Sequence, residues 1–162
     1  MTATPDIPFY PALAFYIGKG TWVDWCIRLA TRSRYSHVEM VLGKNHATGA
    51  HFCASSSARD GGVRAKEIVL KNDHWVIVPI VFEWERDRLF FEERHGLRYD
   101  YLGILFCQFF NLHRHSRSRW FCSEICAAAL GFRNPHTLSP GLLKDRVEEM
   151  NDLAMRMISL TN

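Results

Sequence analysis

Apolar and polar positions along this chain follow two periods, one of strands and one of helices. Residues 12–17 form a short apolar run closed by Gly18-Lys19-Gly20, the pattern of a strand and its turn. Thr21 is a helix-capping residue, and after it Trp22, Cys26, Ile27, Leu29 and Ala30 recur at helical spacing, predicting a helix over 22–30. Residues 35–42, 50–55 and 63–69 read as strands, separated by turns at 43–49 and 59–62. The β-branched run 75–82 is a further strand, and Pro79 within it implies a sheet edge or a bulge. The polarity then changes period. Residues 85–95 carry Leu89, Phe90 and Phe91 among charges, with Gly96 following as a C-terminal cap, and predict an amphipathic helix. Residues 99–112 predict a more buried helix, Trp120-Phe121 a short extended piece, 123–130 a helix closed by Gly131, and 142–150 a last amphipathic helix.

Consecutive strands followed by helices imply an α+β domain with an antiparallel sheet or a small barrel packed against helices. No repeat, low-complexity tract or linker divides the sequence, so residues 1–162 are expected to be one domain. A hydrophobic fraction of 48% is enough for a packed core and argues against disorder. The net charge of +3 is mild, and its excess sits in Arg32–Arg34 and in the run from His113 to Arg119. No nucleic-acid-reading motif accompanies that run, so nucleic acid is not an expected partner. The most apolar stretch, 101–112, is shorter than the roughly 20 residues needed to span a bilayer, so stable membrane insertion is not expected.

The five cysteines, at 26, 53, 107, 122 and 126, are odd in number and contain no Cys-x-x-Cys pair, which points to reduced thiols and a cytoplasmic location. A metal set of His51, Cys53 and Cys122 matches no familiar ligand spacing, so neither a metal nor another cofactor is expected. A thiol becomes nucleophilic as the thiolate, which a neighbouring histidine or a helix N-terminus favours. Cys122 stands where an extended aromatic pair gives way to the helical pattern Ser123-Glu124-Ile125-Cys126, so backbone N–H groups of that helix start are candidate oxyanion donors. A small buried packing cysteine is the plain alternative. His37 opens the apolar strand His37-Val38-Glu39-Met40-Val41-Leu42, where an imidazole and a carboxylate two residues apart share one face. Polar groups buried together need partners or a functional reason to be there.

Several segments, taken in order, resemble one family. Leu29-Ala30-Thr31-Arg32-Ser33-Arg34-Tyr35-Ser36-His37-Val38-Glu39-Met40-Val41-Leu42-Gly43 is similar to the histidine motif of the circularly permuted NlpC-type cysteine hydrolases, the YiiX/YaeF-like branch of the papain-like amidases. Cys53-Ala54 with Gly62-Val63 is similar to the family's next strands, and Gly96-Leu97-Arg98-Tyr99-Asp100 to its Gly-x-x-Tyr-Asp opening of a helix. Trp120-Phe121-Cys122-Ser123-Glu124 resembles its aromatic-Cys-Ser-Glu nucleophile motif, and Ser139-Pro140 a downstream Ser/Thr-Pro element. The histidine precedes the cysteine here, the reverse of papain, as a permuted chain requires; a catalytic set is defined by geometry and not by chain order.

The resemblance implies a permuted papain-like fold with Cys122 as nucleophile and His37 as base. One departure concerns the orienting group. The family's polar residue on the strand after the histidine strand falls, by register, on Cys53-Ala54, where no carboxylate stands. His51 is expected to orient His37, with Glu39 and then Ser55 as the alternatives, and Tyr99 is expected to border the site. The expected reaction is cleavage of an amide or peptide bond through a thioester. The rivals are acyl transfer from lipid of the lecithin:retinol acyltransferase-like type, with a groove along 106–112, and a binding module that kept the fold without full activity. The substrate is thus a small amide, a peptide or a lipid, and the sequence does not specify an oligomeric state.

Overall fold

The computed structural model describes residues 11–81, 89–99 and 119–161. Within these, the chain runs β1 (Ala12–Tyr16), α1 (Trp22–Thr31), β2 (His37–Lys44), β3 (His51–Ser57), β4 (Gly62–Ile68), β5 (Trp75–Pro79), α2 (Leu89–Glu92), β6 (Arg98–Tyr99), β7 (Arg119–Trp120), α3 (Cys122–Ala129), a 3₁₀ turn (Pro135–Thr137) and α4 (Pro140–Thr161). The strands form one open sheet in the order β5-β1-β2-β3-β4-β6-β7. All its ladders are antiparallel except the last, β6 with β7. The domain is therefore α+β with a largely antiparallel sheet.

Two cores hold the sheet. Leu13, Phe15, Val38, Met40 and Ala54 pack with Ile125, Cys126, Ala127 and Ala129 of α3 and with Leu143 and Val147 of α4. Ala12, Ala14, Val41 and Cys53, the alternate residues of the same strands, join Leu70 in a smaller cluster. That split is the period of two expected of strands covered on both faces.

Most element boundaries fall near their expected places, and the departures have local causes. Thr21 precedes α1 as expected, and its backbone N–H and hydroxyl both donate to Asp24, at 2.6 and 2.8 Å. α1 runs one residue beyond expectation and is stopped by Arg32 in the left-handed conformation, φ 49°. β2 begins at His37 instead of residue 35, because the Ser36 hydroxyl is drawn to the Asp24 carboxylate at 2.9 Å. β3 extends to Ser57, since Ser55, Ser56 and Ser57 pair with Arg64, Val63 and Gly62. Gly62 must lack a side chain: β6 crosses it so closely that a Cβ would collide with the carbonyl oxygen of Leu97.

Pro79 ends β5, which lies at the edge of the sheet, the place where a residue without an N–H is tolerated. The Asn151 side chain of α4 covers the end of that strand, accepting from Val81 N–H at 3.0 Å and donating to Pro79 C=O at 2.7 Å. α4 itself is much longer than the expected 142–150. Ser139 opens it, its side chain accepting from Leu142 N–H at 3.3 Å. Of the helix expected over 85–95, the described residues contain α2 followed by turns to Gly96, whose φ is +82°. Tyr99 does not open a helix as expected; it lies in β6, paired with Trp120. The remainder of the helix expected at 99–112 lies outside the described residues.

Candidate functional site

The sheet register decides which polar residues meet. Tyr16 pairs with Trp75 on one side and with His37 on the other, so these three form a row across β5, β1 and β2. The next row on the same face runs through Ile77, Ala14 and Glu39. Met40 pairs with Ala54, so Ser55 stands beside Glu39, and Ser55 in turn pairs with Arg64. Glu39 and Arg64 thus flank one small residue from opposite sides. An ion pair passes over the serine between them.

That ion pair is bidentate. Arg64 Nη1 donates to Glu39 Oε2 at 2.7 Å, and Nη2 donates to Oε1. Glu39 Oε1 also lies 2.7 Å from His37 Nε2. Arg64 Nε donates to Asp60 Oδ2 at 2.7 Å, and Lys66 Nζ reaches both Asp60 oxygens, at 2.9 and 2.6 Å. The Glu39 side chain is 1% exposed, Arg64 11% and His37 18%, so this pairing operates largely out of water.

Cys122 comes to His37 from the other direction. Its thiol hydrogen-bonds the imidazole, and with Nε2 occupied by Glu39, Nδ1 is the nitrogen left for it. Cys122 is the first residue of α3, where backbone N–H groups lack intrahelical acceptors. The helix start is pinned on both sides: Glu124 accepts from Phe121 N–H at 3.4 Å, and the Ser123 hydroxyl donates to Leu138 C=O at 2.6 Å. Ser56 Oγ, donating to Trp120 C=O at 2.7 Å, ties the preceding extended piece to β3.

The electrostatics follow from these contacts. Burial alone would depress the His37 pKa, but the charge and hydrogen bonding of Cys122 and Glu39 outweigh it and raise the value to about 10. Burial would raise the Glu39 carboxyl, yet the Arg64 hydrogen bonds and the His37 charge carry it down to about 2. Cys53 and Cys126 behave differently. Burial, with the Glu39 carboxylate close to both and the Cys122 charge close to Cys126, pushes their thiols up, so neither is a ready nucleophile.

Of the sequence-predicted site residues, the structure brings together Cys122, His37 and Glu39. It does not bring His51 to them. His51 pairs with Lys44, seven positions further along β2 than His37, which at about 3.3 Å per residue puts it on the order of 20 Å away. It is fully buried at that end of β3, where burial and the Lys44 charge lower its pKa. The position beside the histidine belongs to Glu39, because two residues on one strand share a face at short range whatever the neighbouring register. Ser55 donates its hydroxyl to Val38 C=O at 2.7 Å and serves as the spacer under the ion pair. Tyr99 is in β6, and its side chain lies outside what the structure describes. Arg64 and Asp60 were not singled out from the sequence; the signal was a lone arginine in an otherwise ordinary strand, facing the same row as Glu39.

No family model matches the chain, and no curated protein matches it.

A cleft of about 770 Å³ opens over this face of the sheet. Among the described residues, its floor includes His37, Glu39, Arg64 and Trp75, and α1 contributes Trp22 and Asp24 to its wall. The Trp75 ring meets the imidazole edge-on at 6.4 Å between centroids, and the Tyr16 ring lies tilted against Trp75 at 5.0 Å. Cys122 is 1% exposed and lies behind His37, outside the lining of the cleft. Among the described residues, no three His, Cys, Asp or Glu side chains are grouped to hold a metal ion, and no helix is long and apolar enough to cross a membrane. Chemically, the arrangement can hold a thiol against an imidazole whose far nitrogen is fixed by an ionised carboxylate.

Proposed function

We propose that the chain is a cysteine hydrolase of the circularly permuted, papain-like NlpC type, acting on an amide or peptide bond. The observation that carries this reading is the contact sequence Cys122–His37–Glu39, with the thiol at a helix start. In the proposed reaction the Cys122 sulfur, its proton held by His37, attacks the substrate carbonyl carbon. The carbonyl electrons move to oxygen, where N–H groups at the start of α3 stabilise the charge. The carbon–nitrogen bond then breaks, the amine leaves with the proton from His37, and a thioester remains. His37 next takes a proton from water, the resulting hydroxide attacks the thioester, and the acid and the thiol are released. Glu39 holds the imidazole in the tautomer this shuttle needs and stabilises its charged form.

Alkylation kinetics test the proposal. Iodoacetamide labels Cys122 faster than the other cysteines, and His37→Ala slows that labelling while leaving theirs unchanged. A Cys122 labelling rate that is ordinary and indifferent to His37→Ala sinks the reading. Substrate class is then read by comparing hydrolysis of acyl-amide chromogens with acyl transfer from phospholipid vesicles. The groove expected for lipid at 106–112 lies outside the described residues.

One observation favours a second reading, a binding module with an inert thiol: Cys122 is 1% exposed and does not line the cleft. The same labelling experiment decides between them, since an inert thiol gives the slow, His37-independent rate.

A further inference from the structure

A buried histidine–glutamate pair has two ways to carry its proton. It can exist as imidazolium and carboxylate, or as neutral imidazole and carboxylic acid, and an apolar surrounding favours the neutral form. With only His37 as neighbour, Glu39 at 1% exposure would be drawn to the neutral form. A protonated Glu39 would offer His37 no negative charge to stabilise the imidazolium. Something must keep the proton off the carboxylate.

Arg64 fills that need from two strands away. It is a permanent cation, and its two Nη groups meet both oxygens of Glu39, which fixes the plane of the carboxylate as well as its charge. Ser55, between them in the register, is small enough for the pair to close, and its hydroxyl is turned aside to Val38 C=O. The guanidinium is fixed in turn by Asp60 on its Nε edge, and Asp60 by Lys66. From the β3–β4 turn inward, the charges alternate: Lys66, Asp60, Arg64, Glu39, His37. The alternation has a consequence for His37. An uncompensated arginine would draw the Glu39 charge away from the imidazole, and Asp60 offsets that pull.

We infer that Arg64 is a positioning residue of the Cys122–His37 site, keeping Glu39 ionised and aligned on His37 Nε2. The inference rests on the reading of Cys122 and His37 as the reacting pair. The hydrogen bonds of Arg64 go to Glu39 and Asp60, not to the Cys122 thiol, so its path to the reacting pair runs through Glu39. Among the described residues, the other titratable or charged groups facing this assembly or the cleft over it include Tyr16 on β1, Asp24 on α1, Arg59 in the β3–β4 turn, Glu67 on β4, Cys53 on β3, and Cys122 and Cys126 on α3. Cys53 and Cys126 are held as neutral thiols by their surroundings.

The test is the pH dependence of Cys122 alkylation by iodoacetamide between pH 5 and 9, in the full chain and in the Arg64→Gln, Arg64→Lys and His37→Ala variants. Arg64→Gln is expected to lower the rate about tenfold near pH 6.5 and to move the midpoint of the profile upward by about one pH unit, the equivalence being tenfold per unit. At high pH the rate returns to that of the unaltered chain, a recovery that a merely structural role would not produce. Arg64→Lys keeps the charge and loses the fork, so it recovers part of the low-pH rate. If Arg64→Gln does not fold, Arg64→Lys decides by the same upward displacement of the midpoint. A midpoint unmoved in the folded variants, or a rate lowered equally at every pH, overturns the inference. The two levels fail separately: indifference to His37→Ala removes the reactive pair itself, whereas sensitivity to His37→Ala with an unmoved Arg64→Gln profile removes Arg64 alone.

Discussion

Replacing Glu39 by glutamine keeps the shape of the side chain and removes its charge, so it isolates what the ionised form contributes to the fold. The carboxyl titrates at about 2 in the folded chain against 4.5 ordinarily. At roughly 1.4 kcal/mol for each tenfold change in proton affinity, that fall is worth about 3 kcal/mol. The sign follows from the direction. A depressed carboxyl pKa means that the unfolded chain binds the proton more readily, so the contribution is complete above pH 4.5 and is lost as pH falls towards 2. A protonated glutamic acid and a glutamine offer similar hydrogen bonds, so the two chains converge in acid. Glu39→Gln is therefore expected to be less stable than the unaltered chain by about 3 kcal/mol at pH 7, with the difference nearly gone at pH 2. Urea denaturation followed by tryptophan fluorescence at several pH values measures both numbers. A difference below about 1 kcal/mol at pH 7, or one that stays constant down to pH 2, would refute the account of Glu39 as a buried, cation-held carboxylate.

Three further outcomes follow from the geometry. His51→Asn lowers stability by about 1–3 kcal/mol through loss of a fully buried side chain, yet leaves the pH profile of Cys122 alkylation unchanged; a displaced profile would restore His51 to the site. Asn151→Ala removes both hydrogen bonds that α4 makes to the end of β5 and costs about 1–2 kcal/mol in urea denaturation, while an unchanged midpoint would mean that water replaces both. Arg32→Gly relieves a left-handed residue at the end of α1 and raises the thermal midpoint, with a gain of about 0.5–1 kcal/mol; a lowered midpoint would show that the arginine side chain contributes more than its backbone strain.

The α+β class and most of the strands were legible in the sequence because burial on both faces writes itself as dense apolar runs. The edge position of β5 was legible in Pro79. What failed was whatever depended on tertiary partners. The apolar period of α4 fades after Met150, and the helix continues with Leu153, Met155, Met157, Ile158 and Leu160 largely exposed, so no buried stripe marked its length. Tyr99 carries a local pattern that opens helices, but the pairing of β6 with β7 takes it into the sheet. Within the site, the faces of the strands follow from alternation along the chain, whereas the register between strands does not. A register shift in β2 between Val41 and Gly43, together with hairpin lengths, decides which residue of β3 stands beside Glu39. Face alternation puts His51 and Ser55 on one face without saying which of them stands near His37 and Glu39, so His51 could be expected there.

The choice of Glu39 as the partner of His37 has a structural logic that the alternatives lack. Two polar groups that meet from neighbouring strands depend on register, and a slip of one residue turns one of them to the other face. Two positions apart on one strand, His37 and Glu39 share a face and keep their spacing however the neighbouring strands slide. The difficulty moves elsewhere, to a carboxylate buried at 1% exposure that no apolar neighbour can satisfy. The chain answers it with Arg64 and Asp60, both delivered by the β3–β4 hairpin and its turn. Register therefore still matters, but only for the cation. The hairpin must place Arg64 opposite Ser55, and the Asp60 bond to the guanidinium Nε holds it there. On the role proposed for Arg64, the integrity of the β3–β4 turn, remote from the thiol, sets the electrostatics of the Cys122–His37 pair.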